Sequence, residues 1–239
     1  MKKTILLFDV DGTLAHSGCS LDGSMIEALK RLVERGYELG IVGGGTYEKI
    51  HHQLGSVQKY FEHIFSECGC VHHDRSGALL SRRDLRQHPL YPAVDILLKK
   101  ALAFLSTVDY PLTGHLIDRR SGIVYLSLIG MSASEEERQM FLQSNAKHHY
   151  IDRLLTLLQS HSPEGLDVVR GGSVGIAIYP TEWDKVQVLD FYAASDAEIH
   201  YFGDKYKIGG NDYRLLHHPR VIGHPVDSSN HTLDFLCSM

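Results

Sequence analysis

Apolar and polar positions follow two different rhythms along the chain. At the start, Thr4-Ile5-Leu6-Leu7-Phe8 is an unbroken apolar run that stops at carboxylates. Such a run predicts a strand buried on both faces of a parallel sheet. Ile26, Leu29, Leu32 and Val33 then recur at helical spacing as far as Gly36, which reads as a C-terminal cap. Residues 37–42 predict a second strand, closed by Gly43-Gly44-Gly45, followed by a short helix at 46–54 and a third strand at 61–66. Strand–helix alternation of this kind predicts an open α/β sheet that takes ligands at the carboxyl ends of its strands.

The rhythm changes after about residue 70. Asp74-Arg75-Ser76-Gly77 is a hairpin signal, and a polar stretch at 81–84 precedes a helix over 92–105. Two β runs flank Arg119-Arg120-Ser121-Gly122, helical segments follow at 134–145 and 150–160, and strand-like runs at 166–169 and 174–179 surround Gly171-Gly172. Hairpins and helices without strict alternation predict an α+β insert. From Trp183 the first rhythm returns, with a helix, a strand at 199–202, a short helix, another strand and a final helix. A core that is left and re-entered implies a Rossmann-like core of 1–81 and 182–239 and an inserted cap of 82–181. No internal repeat or low-complexity tract interrupts this organisation.

Composition narrows the partners. A chain of 239 residues is long enough for two domains. A net charge of -5 offers no basic field for nucleic acid or an anionic membrane. No apolar run approaches the roughly 20 residues of a membrane-spanning helix. Met1-Lys2-Lys3 leads into an apolar stretch too short for a secretory signal, so a cytoplasmic protein is expected. Four cysteines are too few and scattered for a disulfide framework, and Cys68-Gly69-Cys70 lacks the second pair of a zinc site. Histidine doublets at 51/52, 72/73, 148/149 and 217/218 are expected on solvated surface, because adjacent side chains diverge.

The chemistry concentrates in two acidic motifs. Asp9-Val10-Asp11-Gly12-Thr13 follows the first buried strand, and Gly12 permits a sharp turn beside a phosphate. A carboxylate held against a cation stays ionised and can attack phosphorus, which suits Asp9; a second one that holds a proton can serve as general acid and base, which suits Asp11. Phe202-Gly203-Asp204-Lys205 and Gly209-Gly210-Asn211-Asp212 form the second motif, again after an apolar strand. Asp9, Asp11, Asp204 and Asp212 are the candidate ligands of Mg²⁺, which prefers carboxylate and water oxygens. Crowded carboxylates need a further cation, and Lys185, where the core resumes, is the candidate.

These motifs together resemble the haloacid dehalogenase superfamily, and more closely its eukaryotic-type phosphomannomutase family. The resemblance is carried by LFDVDGTL (7–14), VGGGTYEK (42–49), SLIGMSASEEER (127–138), YPTEWDK (179–185) and YFGDKYKIGGND (201–212), and runs over nearly the whole chain. It implies phosphoryl exchange on mannose or glucose phosphates, through an aspartyl phosphate at Asp9 and a sugar bisphosphate that also serves as activator. Asp11 would move the protons. Arg120 and Arg138 match family arginines of the cap that hold the distal phosphate; Thr46 and Asn211 are candidate substrate contacts in the core. A dimer through the cap is also implied. The chain departs from the family at Gly18 and Met131, where the family has arginines, and at Gly175 and Ala177, where it has a serine and an aspartate. Gly45 stands for a phosphate-binding serine and His218 for an aspartate. The expected activity is a hexose 6-phosphate/1-phosphate mutase, mannose first, with a Mg²⁺-dependent phosphatase of a small phosphorylated metabolite as the alternative and a silent binding module as a third reading.

Overall fold

In the computed structural model, residues 3–239 are described; Met1 and Lys2, on which part of the secretory-signal reading rests, lie outside the described residues. The chain divides into two compact units, one running up to Arg83 and resuming at Trp183–Met239, the other Asp84–Glu182. The first unit begins with β1 (Thr4–Phe8), α1 (Gly23–Glu34), β2 (Glu38–Val42), α2 (Tyr47–Leu54), β3 (Phe61–Ser66), β4 (Val71–Asp74) and β5 (Leu79–Arg82). The second unit holds α3 (Tyr91–Leu105), β6 (Ile117–Arg119), β7 (Val124–Ser127), α4 (Glu135–His148), α5 (Tyr150–Gln159), β8 (Leu166–Gly171) and β9 (Gly175–Pro180). The first then resumes with α6 (Val188–Phe191), β10 (Glu198–Gly203), α7 (Tyr213–Leu216), β11 (Val221–Pro225) and α8 (Ser229–Ser238). The insert therefore begins at Asp84 and not at residue 82. Ser81 and Arg82 read as a polar linker because β5 is an exposed edge strand, with no buried position to mark it.

The core sheet has the order β11-β10-β1-β2-β3-β4-β5. Strands β11 to β3 are parallel, and β4 and β5 run antiparallel at one edge. The apolar run of β1 is explained by its central place. Leu6 and Phe8 pack with Leu29, Leu32 and Phe202 on one side, Ile5 and Leu7 with Val42, Phe65 and Tyr201 on the other. Phe8 and Phe202 are paired across the ladder and stacked at 4.9 Å. From β1 the chain proceeds outward on one side to β2 and returns on the other through β10, so the ends of β1 and β10 flank the crevice where such sheets bind ligands.

Helix α1 starts at Asp22, whose side chain accepts from Met25 N–H, and buries Met25, Ala28, Leu29 and Leu32. Val33 is 37% exposed, against expectation, because it lies one residue, about 100° of turn, beyond the buried Leu32. Gly36 sits at φ 88°. Its N–H bonds to Val33 O at 2.9 Å and that of Tyr37 to Leu32 O at 3.1 Å, a left-handed cap that closes the helix. Tyr37 is thereby used by the cap and β2 starts one residue later.

His72 is not solvated but 4% exposed, stacked on Phe65 at 4.2 Å and bonded to His63 through Nε2 and Nδ1 at 3.0 Å. Burial drives its pKa down to about 4, so it is a neutral core imidazole.

In the insert, the antiparallel sheet runs β6-β7-β9-β8. Val124, Leu126, Val168, Ile176 and Ile178 alternate into its buried face, and α5 packs against β8 and α3. Ser134 and Glu137 form a capping box at the start of α4.

Gly36 gives a clean measure of backbone strain, since no atom lies within 4 Å of the place its Cβ would take. Gly36→Ala is expected to lower unfolding free energy by about 1 kcal/mol through φ alone. A urea midpoint unchanged from the parent would contradict the cap.

Candidate active site

Where β1 and β10 end, the chain leaves the sheet into two loops, and each loop delivers carboxylates. Asp9 N–H bonds to Phe202 O at 3.0 Å, which carries the ladder one residue past β1 and fixes Asp9 beside Asp204. Asp9, Asp204 and Asp212 each present an oxygen within 4.8 Å of the others. Two glycines make that approach possible. A Cβ on Gly12, at φ +85°, would sit 2.5 Å from Asp204 Oδ2, and one on Gly203 would sit 2.6 Å from Asp212 Cγ. Asp212 also accepts the Lys205 N–H at 2.9 Å and so ties down its own loop.

Lys185 is fully buried. Its Nζ donates to Asp9 Oδ1 at 2.6 Å, Asp212 Oδ1 at 2.7 Å and the Tyr201 hydroxyl oxygen at 3.1 Å, while the Tyr201 O–H donates to Asp212. Asp184 aims the lysine by accepting the Val186 N–H at 2.8 Å. One lysine does not neutralise three carboxylates. Burial pushes the pKa of Asp9 up to about 7; Lys185 pulls it down, and Asp212 and Asp204 reinforce the rise. For Asp212 burial acts in the same direction, yet Lys185, Tyr201 and the Lys205 N–H outweigh it and hold the carboxyl below its ordinary value. Burial works against the charge of Lys185, but the carboxylates prevail and raise its pKa well above the usual value. Asp204 Oδ1 is buried and unpartnered, although its other oxygen pairs with Lys205. An unpartnered oxygen, surplus negative charge and an all-oxygen donor set fit a hard divalent cation held by Asp9, Asp204 and Asp212.

Asp11 is the exception among the four expected ligands. Its carboxylate is outside the three-carboxylate group and is taken up instead by Lys49 Nζ, Gln53 Nε2 at 2.9 Å and the Gly18 N–H at 2.8 Å. Two residues along a tight turn, its side chain points to α2 and not to the strand ends. Burial opposes its ionisation, but the bonds from Lys49, Gly18 and Gln53 hold its pKa below the ordinary value. Thr46 is the cap of α2, its Oγ1 accepting the Lys49 N–H at 3.4 Å. Asn211 Nδ2 lies 3.2 Å from where a Cβ on Gly44 would be, so Asn211 and the glycine loop after β2 are neighbours. Arg120 and Arg138 belong to the other unit. There Arg120 Nε bonds to Asp118 at 2.7 Å, and Arg138 bonds to the carbonyls of Ala133 at 3.2 Å and Met131 at 3.4 Å.

Three participants escaped the sequence reading. Tyr201 carries the only hydroxyl in the run 199–202, otherwise apolar but for His200, and that was its one signal. Lys49 and Gln53 are spaced i, i+4 on α2, a pattern that any solvated helix face shows.

A seven-stranded, mostly parallel sheet with an insert, carrying carboxylates at two neighbouring strand ends around a buried lysine, defines the haloacid dehalogenase class of α/β enzymes. Solved structures agree on the fold. A Plasmodium falciparum IMP-nucleotidase, with IMP bound, superposes with a TM-score of 0.64 at 16% identity, covering 99% of this chain and 68% of that one. A trehalose-6-phosphate phosphatase related protein gives 0.57 at 15%, covering 98% and 96%. The sequence goes further. The profile described as eukaryotic phosphomannomutase matches residues 25–239. A phosphomannomutase of Galdieria sulphuraria is 34% identical over 96% of this chain and 92% of its own length, and phosphomannomutase 1 of Homo sapiens is 32% identical over 97% and 90%. The chain belongs to the eukaryotic phosphomannomutase family, and with it comes a phosphomannomutase-like enzymatic activity.

Two measurements probe the charge balance. Without a cation, a carboxyl whose pKa is raised from 3.8 to about 7 binds a proton more tightly folded than unfolded, so this group's contribution to stability falls as pH rises through that window. A bound cation displaces that proton. Excess Mg²⁺ is therefore expected to raise the Tm more at pH 8 than at pH 6, and equal shifts would contradict the shared site. Lys185→Met leaves two buried carboxylates without their cation and is expected to cost about 3–5 kcal/mol, with part recovered in Lys185→Met/Asp212→Asn. A double variant no more stable than the single one would count against the pairing.

Proposed function

We propose that this protein is a phosphosugar mutase interconverting hexose 6-phosphate and hexose 1-phosphate, mannose first, through an aspartyl phosphate and a sugar bisphosphate. One observation carries the reading: Asp9 is fixed at the end of β1 between buried Lys185 and Asp204, while Asp11, two residues on, is held apart by its own donors. In the first half-reaction an Asp9 oxygen attacks the phosphorus of the donor phosphate and the bond to the leaving oxygen breaks. A protonated Asp11 gives its proton to that oxygen; in the second half-reaction it takes one from the attacking sugar hydroxyl, and Asp9 is released as carboxylate. Before either step Asp11 must leave Lys49 and Gln53. Lys185 orients Asp9 and offsets part of the phosphate charge. Mg²⁺ held by Asp9, Asp204 and Asp212 would polarise the phosphoryl oxygens. Arg120 and Arg138 are the cap's candidates for the non-reacting phosphate, because guanidinium groups bind phosphate in bidentate fashion. Thr46 and Asn211 border the core side.

A cytoplasmic enzyme acting on a small phosphorylated sugar, without nucleic acid or membrane partners and dimeric through the cap, completes the reading. A phosphatase is the second reading, favoured by one feature: Gly18 and Met131 bring no charge where the family has arginines, and Gly18 meets Asp11 only through its N–H.

Incubation with mannose 1-phosphate, Mg²⁺ and a catalytic amount of hexose bisphosphate separates the two. Isomerisation supports the mutase; release of inorganic phosphate alone supports the phosphatase. Asp9→Asn is expected to lower either activity by about 10³-fold or more. Near-parental turnover in a folded Asp9→Asn protein would remove the nucleophile assignment.

A further inference from the structure

Among the described residues, only three besides glycines have a positive φ. One of them, His149, is the joint between α4 and α5. The other two are adjacent: Glu67 at 49° and Cys68 at 58°, in the turn that follows β3. A left-handed backbone is costly for a residue with a Cβ, and it persists only where the surroundings hold it. Two sets of bonds hold this one. The Glu67 N–H bonds to Gly45 O and the Cys68 N–H to Gly43 O, both at 2.9 Å. From the other side, Gln187 Nε2 donates to Cys68 O at 2.9 Å and to Cys70 Sγ at 3.3 Å.

The two ends of this arrangement differ in firmness. Gln187 closes the short 3₁₀ turn Lys185–Gln187, and its own backbone N–H bonds to Asp184 O at 3.2 Å. Lys185, in the same turn, is fixed by its bonds to Asp9, Asp212 and Tyr201. Gly69 lets that turn come close, since a Cβ there would lie 2.9 Å from Gln187 Cγ. Gln187 is buried, and its Oε1 has no partner, so the amide acts here through its N–H groups. The other end is the glycine loop after β2. Ile41 is paired with Phe8, so residues 43–45 open onto the same strand ends as Asp9, with Asn211 beside Gly44. Carbonyl oxygens facing that crevice would repel an anion, and the turn takes up two of them.

We propose that Gln187 is a positioning residue of the phosphoryl-transfer site. It clamps the left-handed turn at Glu67 and Cys68, and the turn engages the carbonyls of Gly43 and Gly45, which would otherwise repel the reacting phosphate. This rests on the phosphoryl-transfer reading above. Because Lys185 keeps its own partners, the clamp acts on how tightly phosphate binds and not on the chemical step.

Gln187→Met keeps the length of the side chain and removes both donated bonds. It is expected to raise the dissociation constant of inorganic phosphate, measured by calorimetry in Mg²⁺, by about tenfold. KM for mannose 1-phosphate should rise with it, while kcat stays within about twofold of the parent. The rise in Tm on adding Mg²⁺ should be unchanged, since Asp9, Asp204 and Asp212 are untouched. Two replacements that lose the same thiol test the strain: Cys68→Gly takes a positive φ freely and Cys68→Ala does not. Added to Gln187→Met, Cys68→Gly should bring the phosphate constant to within about threefold of that of Cys68→Gly alone, and Cys68→Ala should leave it raised. With Gln187 intact, Cys68→Gly should melt higher than Cys68→Ala, a comparison that stands even where Gln187→Met does not fold. Parental phosphate affinity in Gln187→Met, or a loss confined to kcat, would overturn the clamp. So would rescue by both replacements or by neither, or a Cys68→Gly protein that melts no higher than Cys68→Ala. A parent that binds inorganic phosphate but turns over neither mannose 1-phosphate nor acetyl phosphate would overturn the phosphoryl-transfer reading instead, while the phosphate constants still decide the clamp.

Discussion

Three carboxylates crowded against a single buried ammonium group are the constraint on which the rest of this structure depends. Asp9, Asp204 and Asp212 would repel one another apart were it not for Lys185, which is fully buried and bonded to two of them. The arrangement is not self-sufficient. Burial, reinforced by the neighbouring carboxylates, raises the proton affinity of Asp9 while Asp212 stays ionised, so the group proposed to attack phosphorus is also the one that most needs a second cation. A site of this kind is held by the sheet and not by its own attractions, which explains why its members come from strand ends and glycine turns and not from a flexible loop.

The fold supplies that rigidity by placing β1 at the centre. Packed on both faces and paired on both edges, β1 cannot shift without moving both core clusters. Asp9 inherits its position through one further ladder bond, and Gly12 and Gly203 let neighbouring loops close to distances that any Cβ would forbid. Immobility of the backbone and crowding of charge are two sides of one design: only a strained electrostatic site needs so firm a support.

Much of this was legible in the sequence, for identifiable reasons. A buried central strand announces itself as an unbroken apolar run, as β1 does; β1 and the more mixed β3 were both bounded to the residue. The acidic motifs were legible because carboxylates directly after such runs have few alternative uses. What escaped notice depended on direction. Val33 and Met25 differ in burial by their angle around α1, and His72 differs from His73 by which way a strand residue faces. Asp11 was read as a cation ligand on proximity in sequence alone, yet a tight turn and three donors from outside its motif turn it elsewhere. The seat of Tyr125 was equally silent, since nothing in the sequence says that glycines at 171 and 175 accommodate a ring from a third strand.

The position of the insert has a consequence in time. Thr4 pairs with Glu198 and Phe8 with Phe202, so the central strand waits for a partner made only after the whole of Asp84–Glu182 has been synthesised. As the chain emerges from the ribosome, β1 can join β2 early but keeps one apolar edge open, and such edges are where nascent chains aggregate or recruit chaperones. Folding of the core is thereby paced by the insert. Lysine and acidic loop arrive last, so the crowded charges meet only when the sheet that confines them is complete.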